Sequence, residues 1–346
     1  MISSNSTLSA IKDVAVSLSL KLPRAIFLWF LISWVAGYFG TLEWRFELAS
    51  HFKLQYLFGS LAFGLLFVAL KQWRWVVAAS LCALFSGFSI APWYFPNAQS
   101  GSGQRVRLLL SNVYAGNSRY EALTDLIRAE DPDLLFIQEV TPPWAKQLET
   151  IRDEYPHGVI RDAEDAGGIA SLSRLPLIQA GDAGIGDYNG PSLEIRLNIG
   201  DRLVHIINTH TPPPMSKLNS QRRNEHFEVI AERMNDLPNP KILIGDLNAT
   251  MWSPYFKRLI ERTGLVNARE GFGVLPTWPT HLPLMKIPID HCLVSRDIRV
   301  VSVRTGPHIG SDHLPLIVDL ALERIGAGTK RFISWREARR FCLRPL

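Results

Sequence analysis

Apolar and polar positions divide the chain into two parts. Up to about residue 95 long apolar runs dominate, and beyond residue 104 short apolar runs alternate with turn residues and amphipathic stretches. The first part holds three charge-free runs, Ala25 to Leu42, Leu54 to Leu70, and Trp75 through Phe95. Each approaches the ~20 residues that cross a hydrocarbon core. Trp29, Trp34, Trp73, Trp75, Trp93 and Tyr94 cluster near the run ends, where aromatic belts form at a membrane surface. Buried helices of a soluble domain would explain one such run but not three in so short a region. The pattern predicts a three-helix membrane anchor over residues 1–96, with spans at about 25–42, 54–70 and 75–95.

The polar Gly/Ser stretch at residues 97–103 reads as a linker. After it come strand-like runs, among them VRLLLSNV, DLLFIQEV, GGIASLS, SLEIRLNI, RLVHIINTH, KILIGDLN, IDHCLVS, IRVVSV and LPLIVDL. Leu193, Ile195, Leu197 and Ile199 alternate with period two. Helical stretches fall near residues 119–130, 143–153, 217–235 and 254–262. Strand pairs with no helix between them exclude a purely alternating parallel sheet, so the fold class is α/β, with two mixed β-sheets and helices outside them. This domain is expected over residues 104–321, followed by a basic tail at 322–346.

Charge adds an orientation. Lys12, Lys21 and Arg24 precede the first span, and Lys71 and Arg74 lie between the second and third. The loop between the first two spans instead mixes Glu43 and Glu47 with Arg45 and Lys53. Basic segments stay in the cytoplasm, so everything after about Pro96 is expected on the extracytoplasmic or periplasmic side of a multi-pass inner membrane protein. A cleaved signal peptide accounts less well for the first run, since two more follow it. The net charge of +5 hides an acidic excess between residues 101 and 329, where 24 basic groups face 28 acidic ones. A basic nucleic-acid footprint is absent there. The tail gathers Arg331, Arg336, Arg339, Arg340 and Arg344 with Phe332, Trp335 and Phe341, a mix that suits an anionic lipid surface or a solvated end. Three cysteines give no metal spacing or disulfide framework; a single Cys292 to Cys342 bridge is the pairing open in an oxidising compartment.

Chemistry-bearing residues recur at strand ends: Asn112, Gln138 with Glu139, Asn208 with His210, Asp246 with Asn248, Asp290, and Asp312 with His313. Singly, each has an ordinary reading as a cap or turn; GDLN alone would pass as an Asx turn after a strand. Acids, amides and imidazoles delivered together to one rim describe an active site. Phosphate-ester hydrolysis needs a hard cation, and Glu139 is the first choice of ligand, with Asn112 and Asp312 beside it, for magnesium or manganese. His313 is the candidate base with Asp290 fixing its tautomer, and Asp246 orients water or protonates the leaving group. Asn248, Asn112 and His210 are candidate donors to the phosphoryl oxygens, and Arg222 or Arg223 can reach the phosphate from a helix.

These residues make the sequence similar to the endonuclease/exonuclease/phosphatase superfamily. The resemblance rests on SNVYAGN, FIQEV, SLSRLPL, INTHTP, IGDLNAT, IDHCLVS and GSDHLPL, in that order. It implies a four-layered α/β/β/α sandwich, magnesium-dependent phosphoester hydrolysis, a catalytic Asp246 and a phosphate-binding Asn248. His210 resembles the deoxyribonuclease and sphingomyelinase branch rather than abasic-site endonucleases. The second acid that pairs with this His in that branch has only Glu164 and Asp165 as candidates here. The expected function is a membrane-anchored phosphodiesterase acting on a phospholipid or lipid-linked head group, with TMWSPYF and TWPTHLPLM as a membrane-facing rim. Alternatives are an extracytoplasmic nuclease acting on DNA or RNA, a phosphomonoesterase, or a non-catalytic receptor. Nucleic acid is a less favoured partner, and no protein partner is inferable.

Overall fold

The computed structural model describes residues 21–95, 103–185 and 192–323. Most of the expected linker, nearly all of the basic tail and Cys342 lie outside the described residues. Four helices come first: α1 (Lys21–Phe39), α2 (Trp44–Ser50), α3 (Lys53–Ala69) and α4 (Trp73–Ile90), the last extended by a 3-10 turn to Tyr94. α1 and the extended α4 are long and apolar enough to cross a membrane, and only 11% and 28% of them is buried. Their outward residues include Trp29, Ile32, Leu81 and Phe88, so apolar side chains cover the exposed faces, as on helices solvated by lipid. α3 qualifies only together with α2, the pair being bent by 68°. Its 17 residues rise about 25 Å at 1.5 Å each, short of a ~30 Å hydrocarbon core. The expected loop between the first two spans is therefore largely helical, and the second span is shorter than a straight crossing requires.

Twelve strands form two six-stranded sheets. The first contains β1 (Gln104–Asn112), β2 (Leu134–Gln138), β3 (His157–Arg161), β4 (Ile169–Ser173), β11 (Ile298–Thr305) and β12 (Leu316–Leu322), in the order β11-β12-β1-β2-β4-β3. The second contains β5 (Leu177–Asp182), β6 (Leu193–Ile199), β7 (Arg202–His210), β8 (Lys241–Asp246), β9 (Val266–Asn267) and β10 (Asp290–Val294), in the order β5-β6-β7-β8-β10-β9. β1 with β2 and β7 with β8 are the parallel pairs; the other neighbours are antiparallel. The expected mixed sheets are present.

The triplet Leu108–Leu109–Leu110 explains the layering. Leu108 and Leu110 enter the core between the sheets with Phe136, Ile206 and Ile244, while Leu109 faces α5 (Tyr120–Glu130) and α6 (Pro142–Glu149). Burial on both faces is what makes such strands continuously apolar. The outer face of the second sheet carries α7 (Lys217–Asp236) and α8 (Pro254–Thr263).

The N-terminal helices pack onto that same side. Ile90, Leu54, Leu57 and Trp93 share an apolar cluster with Phe227, Ile230, Trp252 and Phe256. Polar bonds reinforce it: Arg223 Nη2 donates to Glu47 Oε2 at 3.0 Å, and His51 Nδ1 lies 2.9 Å from Thr250 Oγ1. The Trp252 indole N–H donates to the Ser89 carbonyl, and the Gln55 amide donates to the Leu284 and Lys286 carbonyls. Met251 and Trp252 are thus buried beneath the N-terminal helices, which corrects the expectation that TMWSPYF forms a membrane-facing rim. Leu282, Leu284 and Met285 of TWPTHLPLM do remain exposed.

Candidate active site

The strand directions bring the polar ends together. Asn112 and Gln138 end the parallel pair β1 and β2, and His210 and Asp246 end the parallel pair β7 and β8. β10 runs antiparallel to β8, so its first residue, Asp290, sits opposite Asp246. β12 runs antiparallel to β1, which places the preceding Asp312 and His313 at the same edge. A hydrogen bond from Ser311 Oγ to the Asn112 carbonyl, 2.7 Å, ties that segment down.

Gly245 answers why the GDLN strand end needs a glycine. At φ +148° it lies where L side chains rarely go, and a Cβ there would meet the Thr209 carbonyl oxygen at 1.8 Å. Replacing Gly245 by Ala is expected to cost at least ~2 kcal/mol, because it must push β7 from β8 at the site itself. Thermal unfolding of the variant checks this. Glu139 and Asn248 also take positive φ, 60° and 46°, a conformation that persists only where the surroundings hold it. Glu139 is held by the Ala115 N–H on Oε2 and the Asn112 amide on Oε1, both at 2.9 Å. Asn248 is held by its N–H on Asp246 Oδ1 and its amide on the Thr211 carbonyl.

Asp246 Oδ2 is the focus of the cluster. The Asn112 amide donates to it at 3.1 Å, and the Nε2 atoms of His210 and His313 each lie 3.7 Å away. On its other side the His313 ring bonds through Nδ1 to Asp290 Oδ2 at 2.9 Å, which leaves Nε2 facing Asp246. Burial pushes the Asp246 carboxyl up, and the nearby Asp290 charge adds to this. Burial alone would lower the His313 imidazole, but Asp290 and Asp246 override it and raise it to about 10. Burial likewise opposes the Asp290 charge, and the His313 partner still holds that carboxyl below its usual range.

Several expectations need correction. Arg222 makes no contact with the cluster among the described residues; its neighbour Arg223 is fully buried and donates to the Asn248 carbonyl at 3.1 Å. Successive helix residues point about 100° apart, so only one of the two can face the site. Asn112 was expected as a metal ligand, but its oxygen accepts the Tyr114 N–H and its amide end faces both acids. It therefore ties Glu139 to Asp246. Glu164 and Asp165 are exposed, and the acid beside His210 is Asp246. Gln138 and Asn208, both fully buried, bond across the sheets at 2.6 Å and brace the sandwich.

The donor set fits a hard divalent cation. Glu139, Asp246, Asp290 and Asp312 offer oxygen and no thiolate is present. Asp246, Asp290 and His313 have ligand atoms within 4.8 Å of one another, although the His313–Asp290 bond already engages two of those groups. Asp312 gives Oδ2 to the Trp278 indole N–H at 2.9 Å, while its buried Oδ1 has no hydrogen-bond partner among the described residues. A buried carboxylate oxygen left bare is costly, and a cation would satisfy it.

This sandwich, with acids, amides and two histidines at one rim, is the architecture of a phosphoesterase. The model of the Endonuclease/Exonuclease/phosphatase family matches residues 109–313, and the chain belongs to that family, whose members are hydrolases that generally depend on divalent metals. No curated protein sequence matches. Solved structures share the fold. An endonuclease/exonuclease/phosphatase from Bacteroides vulgatus is 18% identical, with a TM-score of 0.54, covering 63% of this chain and 99% of its own. One from Beutenbergia cavernae is 20% identical, with a TM-score of 0.52 and coverage of 64% and 72%. Humanized TDP2 from D. rerio is 15% identical, with a TM-score of 0.53 and coverage of 63% and 99%.

Proposed function

We propose that the chain is a membrane-anchored, metal-assisted phosphodiesterase acting at the outer bilayer surface on a phospholipid or lipid-linked head group. The observation that carries this reading is where the anchor sits: on the rim of the site itself. Glu47 of α2 grips Arg223, which grips the Asn248 carbonyl, and Gln55 of α3 holds the loop that carries Leu284. That loop exposes Leu282, Leu284 and Met285, and the segment after His210 exposes Met215 and Leu218. Apolar side chains on rim loops beside an anchor favour a site that meets lipid. The contact between α2 and the domain also requires both to share one side of the membrane. With the basic Lys71–Arg74 turn in the cytoplasm, that side is the outer one.

In the proposed mechanism Glu139 and Asp312 would hold the cation, with Asn112 steadying Glu139. The bound cation would neutralise the phosphoryl oxygens. A water beside Asp246 Oδ2 and His313 Nε2 attacks phosphorus and gives its proton to the Asp246 carboxylate, while the charged imidazole, fixed by Asp290, steadies that carboxylate. The phosphorus–oxygen bond to the leaving group breaks as that oxygen takes a proton back from the same cluster. His210 and the second amide N–H of Asn248 receive the charge that builds on the non-bridging oxygens. Glu139→Gln should raise the Mg²⁺ concentration for half-maximal activity by about tenfold or more. A Mg²⁺ titration of head-group release from liposomes reads this, and an unchanged requirement would remove Glu139 from the metal site.

A further inference from the structure

A cleft of about 880 Å³ lies where the domain meets the anchor. Its walls include Tyr38 at the end of α1, Lys53 at the start of α3, Phe88 and Trp93 near the end of α4, and Trp252 and Lys257 from the domain. All the anchor residues come from the helix ends nearest the domain. Lys53 is the unusual member. Only 4% of its surface is exposed, yet among the described residues its ammonium has no carboxylate or carbonyl partner. It sits 3.9 Å from the centre of the Tyr38 ring. Lys257, also without an ion pair among the described residues, is near enough to repel it. The cleft's one acid, Glu270, is attracted to Arg296.

A lysine this enclosed without a counter-ion is costly, and a second cation on the same cleft raises the cost. An anion in the cleft relieves both. The apolar walls say which kind: Phe88 and Phe95 are 67% and 71% exposed on the lining, so the cleft opens onto surface that lipid covers if the anchor spans the membrane. We propose that this cleft is a second, non-catalytic site that binds the phosphate of an anionic phospholipid of the outer leaflet, with Lys53 and Lys257 on the phosphate and the acyl chains along α4. The inference rests on the membrane reading of α1, α3 and α4 but not on catalysis, and its test reads binding alone.

The experiment uses the full chain in nanodiscs of phosphatidylcholine doped with phosphatidylglycerol, with retained lipid counted by native mass spectrometry. The wild type should keep phosphatidylglycerol over phosphatidylcholine. Lys53→Met should lose that retention by about tenfold or more, and Lys53→Arg should keep it. Lys257→Ala, at an exposed position that leaves the fold alone, should weaken it as well. Equal retention in wild type, Lys53→Met and Lys257→Ala would mean only lipid bound around the helices, and would overturn the proposal. Displacement of phosphatidylglycerol by millimolar inorganic phosphate would make the ligand a free anion and overturn it too.

Discussion

His313→Ala should reduce hydrolysis by on the order of 10³-fold while leaving the protein folded. The imidazole is buried between two carboxylates, 2.9 Å from Asp290 and 3.7 Å from Asp246, and among the described residues no other side chain bridges those groups. Its removal deletes the positive charge between the two acids and leaves two like charges facing each other. Asp290→Asn tests the same unit from behind, because an amide can bond Nδ1 but cannot stabilise the charged ring. It should fall by a similar order, and the double variant should be little worse than either single one, as groups acting as a unit are not additive. Single-turnover rates decide this; losses that multiply in the double variant would show two independent roles.

Glu47→Ala should destabilise the full chain by about 3 kcal/mol, at the lower end of the cost of breaking a buried ion pair. Both side chains of the Glu47–Arg223 pair are fully buried, and the change strands the guanidinium. Arg223 keeps the Asn248 carbonyl and the Asn224 side chain, which is why the lower end applies. For a domain of this size the melting temperature should drop by about 6–12 °C. Pairing Glu47→Ala with Arg223→Met removes both charges and should recover much of the loss. An unchanged melting temperature in the single variant would mean that the anchor does not clamp the domain at this point.

Much of the site is legible in the sequence because its strands are buried on both faces. Apolar runs such as Leu134–Ile137 and Ile242–Ile244 stop abruptly at the rim, so the first polar residues mark it. Edge strands β3 and β5 are half exposed and lack such runs, which hides them. The choice between Arg222 and Arg223 had a usable signal. Arg223 lies four residues before Phe227 and seven before Ile230, on the buried stripe of α7, while Arg222 is off it. Glu47 carried no such signal. Its partner is 176 residues away, and an acid among other charges in a short segment between apolar runs reads as solvated loop.

A metal-dependent phosphodiesterase at the membrane surface is told apart from a nuclease by one comparison. Full-length protein is assayed with Mg²⁺ or EDTA on phospholipid liposomes and supercoiled plasmid side by side, with His313→Ala as the blank. Head-group release should need both Mg²⁺ and His313 and outpace plasmid nicking. Plasmid nicked much faster than any lipid is turned over would contradict it and make the anchor a tether for an extracytoplasmic nuclease.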